Sequence, residues 1–159
     1  MKKIIGIGAF SLLILGASLA LVGPGNSALP QVEPAYVKEC GACHIPYPAQ
    51  YLPKRSWERI LGSLDKHFGE NATLSPKALQ PIKAYLDSHA ADSAAGNPRI
   101  MRDVAVNNTP LRIVEMPFWI HIHHRMIERK AFDAPKVKSA GNCSACHKGA
   151  ANWRFGDDD

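Results

Sequence analysis

Hydrophobic residues recur at helical spacing in three parts of the chain. The first predicted helix covers about residues 57–68, with Ser56 as its cap. The second follows Ser75, has proline at its first position and covers about residues 76–89. The third begins at a proline and covers about residues 117–131. These three segments predict the main helices of the fold.

The intervening segments show no sustained alternation of apolar and polar residues. Three prolines make residues 45–53 an irregular loop. Residues 90–108 are polar and contain Gly and Pro, so they are interpreted as a linker or surface loop. Only residues 111–116 form a short stretch that fits an extended conformation. The pattern therefore predicts a mostly α protein.

The first residues have the pattern of an export signal. Two lysines precede an apolar run, residues 4–22, that ends in Gly23-Pro24-Gly25. Cleavage after Ala28 is favoured, with Ser18-Leu19-Ala20 as a rival site. An uncut run is long enough to anchor the chain in a bilayer. Either outcome predicts that the rest of the chain lies outside the cytoplasm.

The charge pattern argues against one broad class of function. The chain has 19 Lys and Arg against 14 Asp and Glu, a net charge of +5, and removal of the leader with its two lysines leaves +3. No basic run interleaved with aromatic residues occurs. Nucleic-acid binding therefore has no support.

The four cysteines form two copies of one short motif, C-x-x-C-H. The copies contain Cys40, Cys43 and His44, and Cys143, Cys146 and His147. This spacing is the attachment signature of c-type haem. Two thiols bond to the vinyl groups along one porphyrin edge, and the next residue supplies an imidazole to the iron from the near side. The sequence therefore predicts two covalently bound haem c groups.

Three other uses of paired cysteines fit less well. A disulfide needs no histidine after the second cysteine. A zinc site usually places its two C-x-x-C pairs about 15–20 residues apart, whereas these are about 100 apart. A thioredoxin-like pair requires a βαβ pattern, which the sequence does not show.

The far-side ligand of each iron decides whether the protein carries electrons or binds small molecules. His67 flanks the apolar face of the first predicted helix and is the candidate there. In the third helix, His123 falls within the apolar face, His124 near its edge and His121 on the polar side. We favour His123, because an imidazole in an apolar interior needs a partner, and keep His124 as a second candidate.

Two further residues have the chemistry of a ligand. His89 ends the second predicted helix, where the helix dipole favours an imidazole, and we interpret it in that way. Met116 precedes Pro117 in a setting that resembles a methionine ligand, which raises the redox potential. Packing at the end of the extended stretch explains Met116 equally well.

Several short runs together resemble the dihaem cytochrome c family. The resemblance spans about Val37 to Gly149, and its most distinctive part is the run His67-Phe68-Gly69-Glu70-Asn71. The other matching parts are the two haem motifs, Tyr51-Leu52-Pro53, Ser56-Trp57 and Pro117-Phe118-Trp119. A bare C-x-x-C-H is shared by many cytochromes, so the central run carries most of the specificity.

The resemblance implies a periplasmic protein with two low-spin haems, each held by two histidines. It implies a small class I cytochrome-c-like N-terminal haem region and a less regular C-terminal one. The far-side ligands that it implies are His67 and a histidine within residues 119–124, which leaves His123 and His124 open. The implied partners are an oxygen-binding monohaem cytochrome c and a b-type membrane cytochrome.

We therefore expect a periplasmic electron carrier that shuttles single electrons from a membrane or soluble donor to a soluble haem-protein acceptor, and not an enzyme. The expected organisation is a leader at residues 1–28, a first haem domain at 29–92, a linker at 93–110 and a second haem domain at 111–159. Membrane contact is expected only if the leader is retained. The alternatives are a small dihaem peroxidase or gas-reactive enzyme with one open iron, and a sensor or anchored subunit.

Overall fold

The computed structural model describes residues 32–156, which form four α-helices joined by turns and short 3-10 segments. The helices are α1 (Pro34–Cys40), α2 (Lys54–Leu61), α3 (Pro76–His89) and α4 (Pro117–Glu128). These residues contain no β-strand, and the predicted mostly α class is confirmed. The predicted leader lies outside the described residues. Among the helices described, none has the length and apolar character that crossing a bilayer requires.

Helix α1, which the periodicity does not predict, leads into the first C-x-x-C-H motif. The Glu33 carboxylate accepts a hydrogen bond from the first turn and caps the helix. The helix stops at Gly41, where any side chain would collide with the Val37 carbonyl oxygen. The turn that follows places His44 just beyond the end of α1.

Helix α2 begins three residues before its predicted start. The Asp92 carboxylate accepts a hydrogen bond from the Lys54 backbone N–H at 2.7 Å, so a distant residue satisfies the start of the helix. Ser56, predicted to be the cap, lies inside the helix, and its side chain is fully buried. The cap prediction was therefore wrong, because the cap is a tertiary contact.

Helix α2 also ends seven residues earlier than predicted. A 3-10 segment, Leu64–Lys66, follows it. Phe68 and Gly69 then adopt positive φ angles of 53° and 103° and reverse the chain. A backbone bridge between His67 and Glu70 closes this turn. His67 therefore lies in a turn. The prediction that it flanks the apolar face of a helix was wrong.

Helices α3 and α4 follow the predictions more closely, because their start signals are local. The Ser75 hydroxyl caps α3, which ends at His89 as predicted. Helix α4 begins at Pro117 and ends at Glu128, about three residues early. Lys130 follows with a φ of 53°, which stops the helix. The predicted extended stretch before α4 contains instead a 3-10 segment.

The hydrophobic core lies where α1 and α2 pack on α3. Ile82 and Leu86 of α3 are buried at 0% and 1% exposure. The Tyr36 ring lies 5.3 Å from Tyr85 and 6.5 Å from Trp57, which joins all three helices. Because α1 ends at Cys40, the packing of α1 in this core fixes the start of the first haem motif.

The predicted linker is partly packed. Ile100 is buried at 8% exposure, within the same core. Gly96 approaches the carbonyl oxygens of Ala90 and Ala91 so closely that no side chain would fit there. This segment therefore follows the surface of the core closely.

The loop after the first motif packs against the C-terminal segment. The Tyr47 hydroxyl donates to the Gly141 carbonyl at 2.8 Å, and the Trp153 indole N–H donates to the Pro46 carbonyl at 2.5 Å. These bonds join residues about a hundred positions apart in the sequence. They hold the two haem motifs next to each other.

Candidate haem sites

The turn after α2 brings His67 opposite the histidine of the first motif. The ring centroids of His44 and His67 are 6.3 Å apart, and the ring planes are inclined by 22°. The Arg112 guanidinium lies over the Phe68 ring at 4.3 Å and braces this turn. His67 therefore faces His44 although it is not on a helix.

Helix α4 brings His123 opposite the histidine of the second motif. The ring centroids of His123 and His147 are 6.2 Å apart, and the ring planes are nearly perpendicular at 88°. Phe132, from the turn after α4, contacts the rings of Trp119 and His123 at 5.2 and 6.1 Å. This aromatic packing supports the far side of the second site.

The spacing within both pairs fits an iron held between two imidazoles. A metal–imidazole nitrogen bond is about 2 Å long, and the ring centre lies about 1 Å behind that nitrogen. Two imidazoles on opposite sides of one metal therefore have centroids about 6 Å apart. The observed separations are 6.3 and 6.2 Å.

Distance alone does not define these pairs, because the centroids of His121 and His124 are also 6.3 Å apart. Those two rings belong to neighbouring turns of one helix and are exposed. Within the described residues, neither ring contacts a haem motif. The structure therefore brings His123, and not His124 or His121, to His147.

Backbone hydrogen bonds fix the proton in two of the four rings. Nδ1 of His44 lies 2.7 Å from the Ile45 carbonyl oxygen, and Nδ1 of His123 lies 3.0 Å from that of Trp119. A carbonyl oxygen only accepts, so Nδ1 carries the proton in both rings. Nε2 is then left with the lone pair that a metal requires.

Both far-side imidazoles are biased toward the neutral form. Burial lowers the pKa of His67, and the neighbouring His44 lowers it further. Burial also lowers the pKa of His123; the hydrogen bond to Trp119 opposes this shift, and His147 adds to it. Neutral imidazole is the form that binds a metal.

Each motif presents one half-buried and one exposed thiol. Burial, followed by the charge of Glu39, raises the pKa of Cys40 to about 11, and burial also raises the pKa of Cys143. Cys43 and Cys146 are exposed. Each motif therefore offers the two thiols that covalent haem attachment requires.

His89 and Met116 lie away from both histidine pairs. His89 stacks on the Tyr85 ring at 4.6 Å and donates through Nδ1 to the Tyr85 carbonyl at 3.0 Å, as a helix-end histidine does. Met116 is fully buried in the core just before α4. Because each motif histidine already faces another histidine, neither residue is needed as a ligand.

Two aromatic residues that the sequence did not single out contact the motif histidines. Tyr47 stacks on His44 with centroids 4.8 Å apart and planes 24° apart. The edge of Phe155 meets His147 at 5.7 Å. Their only signal in the sequence is that they lie within a few residues of the two motifs.

A family model described as dihaem cytochrome c matches residues 36–155. The match includes both C-x-x-C-H motifs and all four paired histidines. The chain belongs to the dihaem cytochrome c family. This dihaem cytochrome c therefore carries two covalently attached haem c groups and has a haem-based role in electron transfer. Its residues fit both groups, since each motif combines two thiols with a histidine that faces a second one.

Solved structures similar to this dihaem cytochrome c come from two organisms. A diheme cytochrome c from Rhodobacter sphaeroides shares 40% identity and a TM-score of 0.73, covering 80% of this chain and 100% of that chain. A crystal structure of the protein purified from the same organism shares 38% identity and a TM-score of 0.58, covering 76% and 94%. A diheme cytochrome type c from Shewanella baltica shares 36% identity and a TM-score of 0.62, covering 77% and 86%. No curated protein matches this chain.

Proposed function

We propose that this dihaem cytochrome c passes single electrons from a membrane or soluble donor to a soluble haem-protein acceptor in the periplasm. The observation that carries the proposal is that each motif histidine faces a second histidine at the separation of two ligands on one iron. Two protein ligands keep substrates and gases off the iron in both redox states. Such a site suits electron transfer and not substrate turnover.

The proposed ligands divide into two sets. His44 and His67 would hold the first haem iron, His147 and His123 would hold the second, and Cys40, Cys43, Cys143 and Cys146 would form the thioether bonds. When bound, the haem supplies one-electron redox chemistry. The chain orients the rings of His44 and His123 through the hydrogen bonds that Nδ1 donates to carbonyl oxygens and through aromatic stacking, so that they would bind iron when haem is attached.

The family resemblance supports a more specific set of partners and a location. The proposed acceptor is an oxygen-binding monohaem cytochrome c, and a b-type membrane cytochrome is a proposed donor. The proposed organisation is a leader at 1–28, haem regions at 29–92 and 111–159, and a connecting segment at 93–110. Direct membrane attachment follows only if the leader is not removed.

The holoprotein is expected to contain two covalent haems, both six-coordinate and low-spin in the ferric and ferrous states. Absorption and electron spin resonance spectra of both states measure this, together with the addition of carbon monoxide to the ferrous protein. Carbon monoxide is expected not to bind, because both axial positions of each iron are filled by histidine.

The same spectra test the main alternative, a small dihaem peroxidase or gas-reactive enzyme. Such an enzyme needs one iron with an open position. A high-spin ferric signal in the native protein, or carbon monoxide binding to one of the haems, would favour the enzyme and contradict the proposed carrier.

The segment that contains the second site has an excess of basic residues, whereas the segment that contains the first site is balanced. Residues 32–92 contain seven Lys and Arg and seven Asp and Glu, whereas residues 117–159 contain seven against five, and three of these five acids are the last residues, Asp157-Asp158-Asp159. Six of these basic side chains are exposed and form no ion pair with the described residues. They are Arg125, Arg129, Lys130, Lys136, Lys138 and Lys148. Because a positive field attracts acidic partners and speeds their encounter, we propose that an acidic acceptor docks beside the second haem.

Charge reversal on α4 is expected to slow electron transfer to an anionic oxidant. In the double variant Arg125→Glu/Arg129→Glu, the rate of oxidation of the reduced protein by ferricyanide should fall several-fold at low ionic strength, since the attraction is lost. Added salt should slow the oxidation of the native protein and reduce the difference in rate between the native protein and the double variant. Stopped-flow absorbance measures these rates.

The matched control is Arg59→Glu/Lys77→Glu, which makes the same change in net charge within residues 32–92. Both side chains are exposed and form no ion pair with the described residues. Its rate should stay close to that of the native protein. Equal slowing by both double variants would mean that only net charge matters, and it would remove the case for docking at the second site.

A further inference from the structure

The two histidine pairs have the same separation but different ring orientations. The planes of His44 and His67 are 22° apart, whereas those of His123 and His147 are 88° apart. The centroid separations, 6.3 and 6.2 Å, differ by very little. The two pairs therefore differ in the angle between their ring planes and not in the separation of their centroids.

Trp119 fixes the orientation of the His123 ring. The indole stacks on the imidazole with centroids 4.2 Å apart and planes 18° apart. The backbone carbonyl of Trp119 accepts a hydrogen bond from Nδ1 of His123 at 3.0 Å. Trp119 is itself buried, at 7% exposure, and packs against Phe132. This packing restricts the movement of the indole against which the imidazole stacks.

The first pair is set by different contacts. Nδ1 of His44 donates to the Ile45 carbonyl at 2.7 Å, and the ring of His44 stacks on Tyr47. The Tyr47 hydroxyl is held by the Gly141 carbonyl. The near-parallel arrangement at the first site therefore depends on its own set of residues, independently of Trp119.

Ring orientation matters because imidazole π-electrons act on the iron d orbital perpendicular to the ring plane. Parallel rings act on the same orbital and separate the two upper-lying d orbitals of π symmetry. Perpendicular rings act on different orbitals and leave the two nearly equal in energy. Outer-shell contacts that orient the ligands thus tune the electronic state of the iron, beyond the identity of the ligands.

We infer that Trp119 is a positioning residue that holds His123 across the plane of His147 and makes the second haem electronically distinct from the first. This inference rests on the proposed histidine ligation of both irons. It predicts that two haems with identical ligand types differ within one chain. The first haem is expected to be magnetically rhombic, and the second strongly anisotropic.

Low-temperature electron spin resonance of the ferric holoprotein tests this inference. The native protein is expected to show two low-spin signals of equal integrated intensity, one with three resolved features and one broad feature at low field. Trp119→Leu removes the stacking surface but keeps the backbone carbonyl. It should abolish the broad low-field signal, leave the other signal unchanged and shift the midpoint potential of the second haem only.

Two companion variants separate positioning from general stability. Trp119→Phe keeps a flat ring behind His123 and should retain the broad signal. Trp57→Phe removes an indole that is equally buried, at 6% exposure, but contacts no paired histidine. It should leave both signals unchanged.

The outcomes also separate this inference from the proposed function. Two rhombic low-spin signals in the native protein, or a broad signal that survives Trp119→Leu, overturn the role of Trp119 while histidine ligation stands. A high-spin signal in the native protein overturns the proposed ligation and this inference with it.

Discussion

Replacement of His123 by alanine is expected to open the second iron. The ferric spectrum should gain a high-spin component, and the ferrous protein should bind carbon monoxide at about half of its haem. The reason is geometric, because within the described residues His123 is the imidazole that faces His147, at 6.2 Å. Absorbance titration with carbon monoxide measures the open fraction, and added imidazole should restore the low-spin spectrum.

The matched control is His124→Ala, the same chemical change at the next position of α4. The ring of His124 is exposed, and its Nδ1 donates to the His121 carbonyl at 2.8 Å within the helix. This variant should keep both irons low-spin. An iron that opens in His124→Ala but not in His123→Ala would show that we have chosen the wrong ligand.

Replacement of His67 by alanine is expected to open the first iron in the same way. His67 lies in a turn in which two residues, Phe68 and Gly69, have positive φ angles. The backbone conformation of this turn places the His67 ring opposite His44. About half of the haem should become accessible to carbon monoxide. The signal of the second haem in electron spin resonance should persist, which identifies the site that was opened.

His89→Ala is the control for this site. His89 stacks on Tyr85 and bonds to its carbonyl oxygen, at the end of α3. Its removal should cost some stability of the helix end but open neither iron. If His89→Ala and His67→Ala gave the same high-spin spectrum, the pairing of His67 with His44 would be disproved.

The helices show which local signals are sufficient. Helix α3 begins and ends where predicted because its cap, Ser75, and the proline after it act within one turn. Helix α2 was displaced because Asp92, far along the chain, binds its first N–H. Helix α1 was missed because its seven residues include only one buried side chain, Tyr36, which is too few to give a period.

The apolar face predicted for α4 was only partly covered by protein. Trp119 is buried, but Ile122 and Met126 are 64% and 45% exposed. Hydrophobic periodicity identifies a face that avoids water and does not identify what covers it. On this helix the same face carries His123, so we expect the porphyrin of the proposed second site to cover the side chains beside that residue.

The sequence by itself determined the chemistry of this protein and the proposed near-side ligands. A C-x-x-C-H motif is complete within five residues, so His44 and His147 can be identified from the sequence without the fold. Only the tertiary structure decided which histidine stands opposite each of them and at what angle. These proposed ligands, His67 and His123, lie more than twenty residues away, and their positions depend on the turn at Phe68 and on a helix packed through Trp119. Periodicity places a side chain on a face, but a pair of facing rings is set by contacts between separate elements.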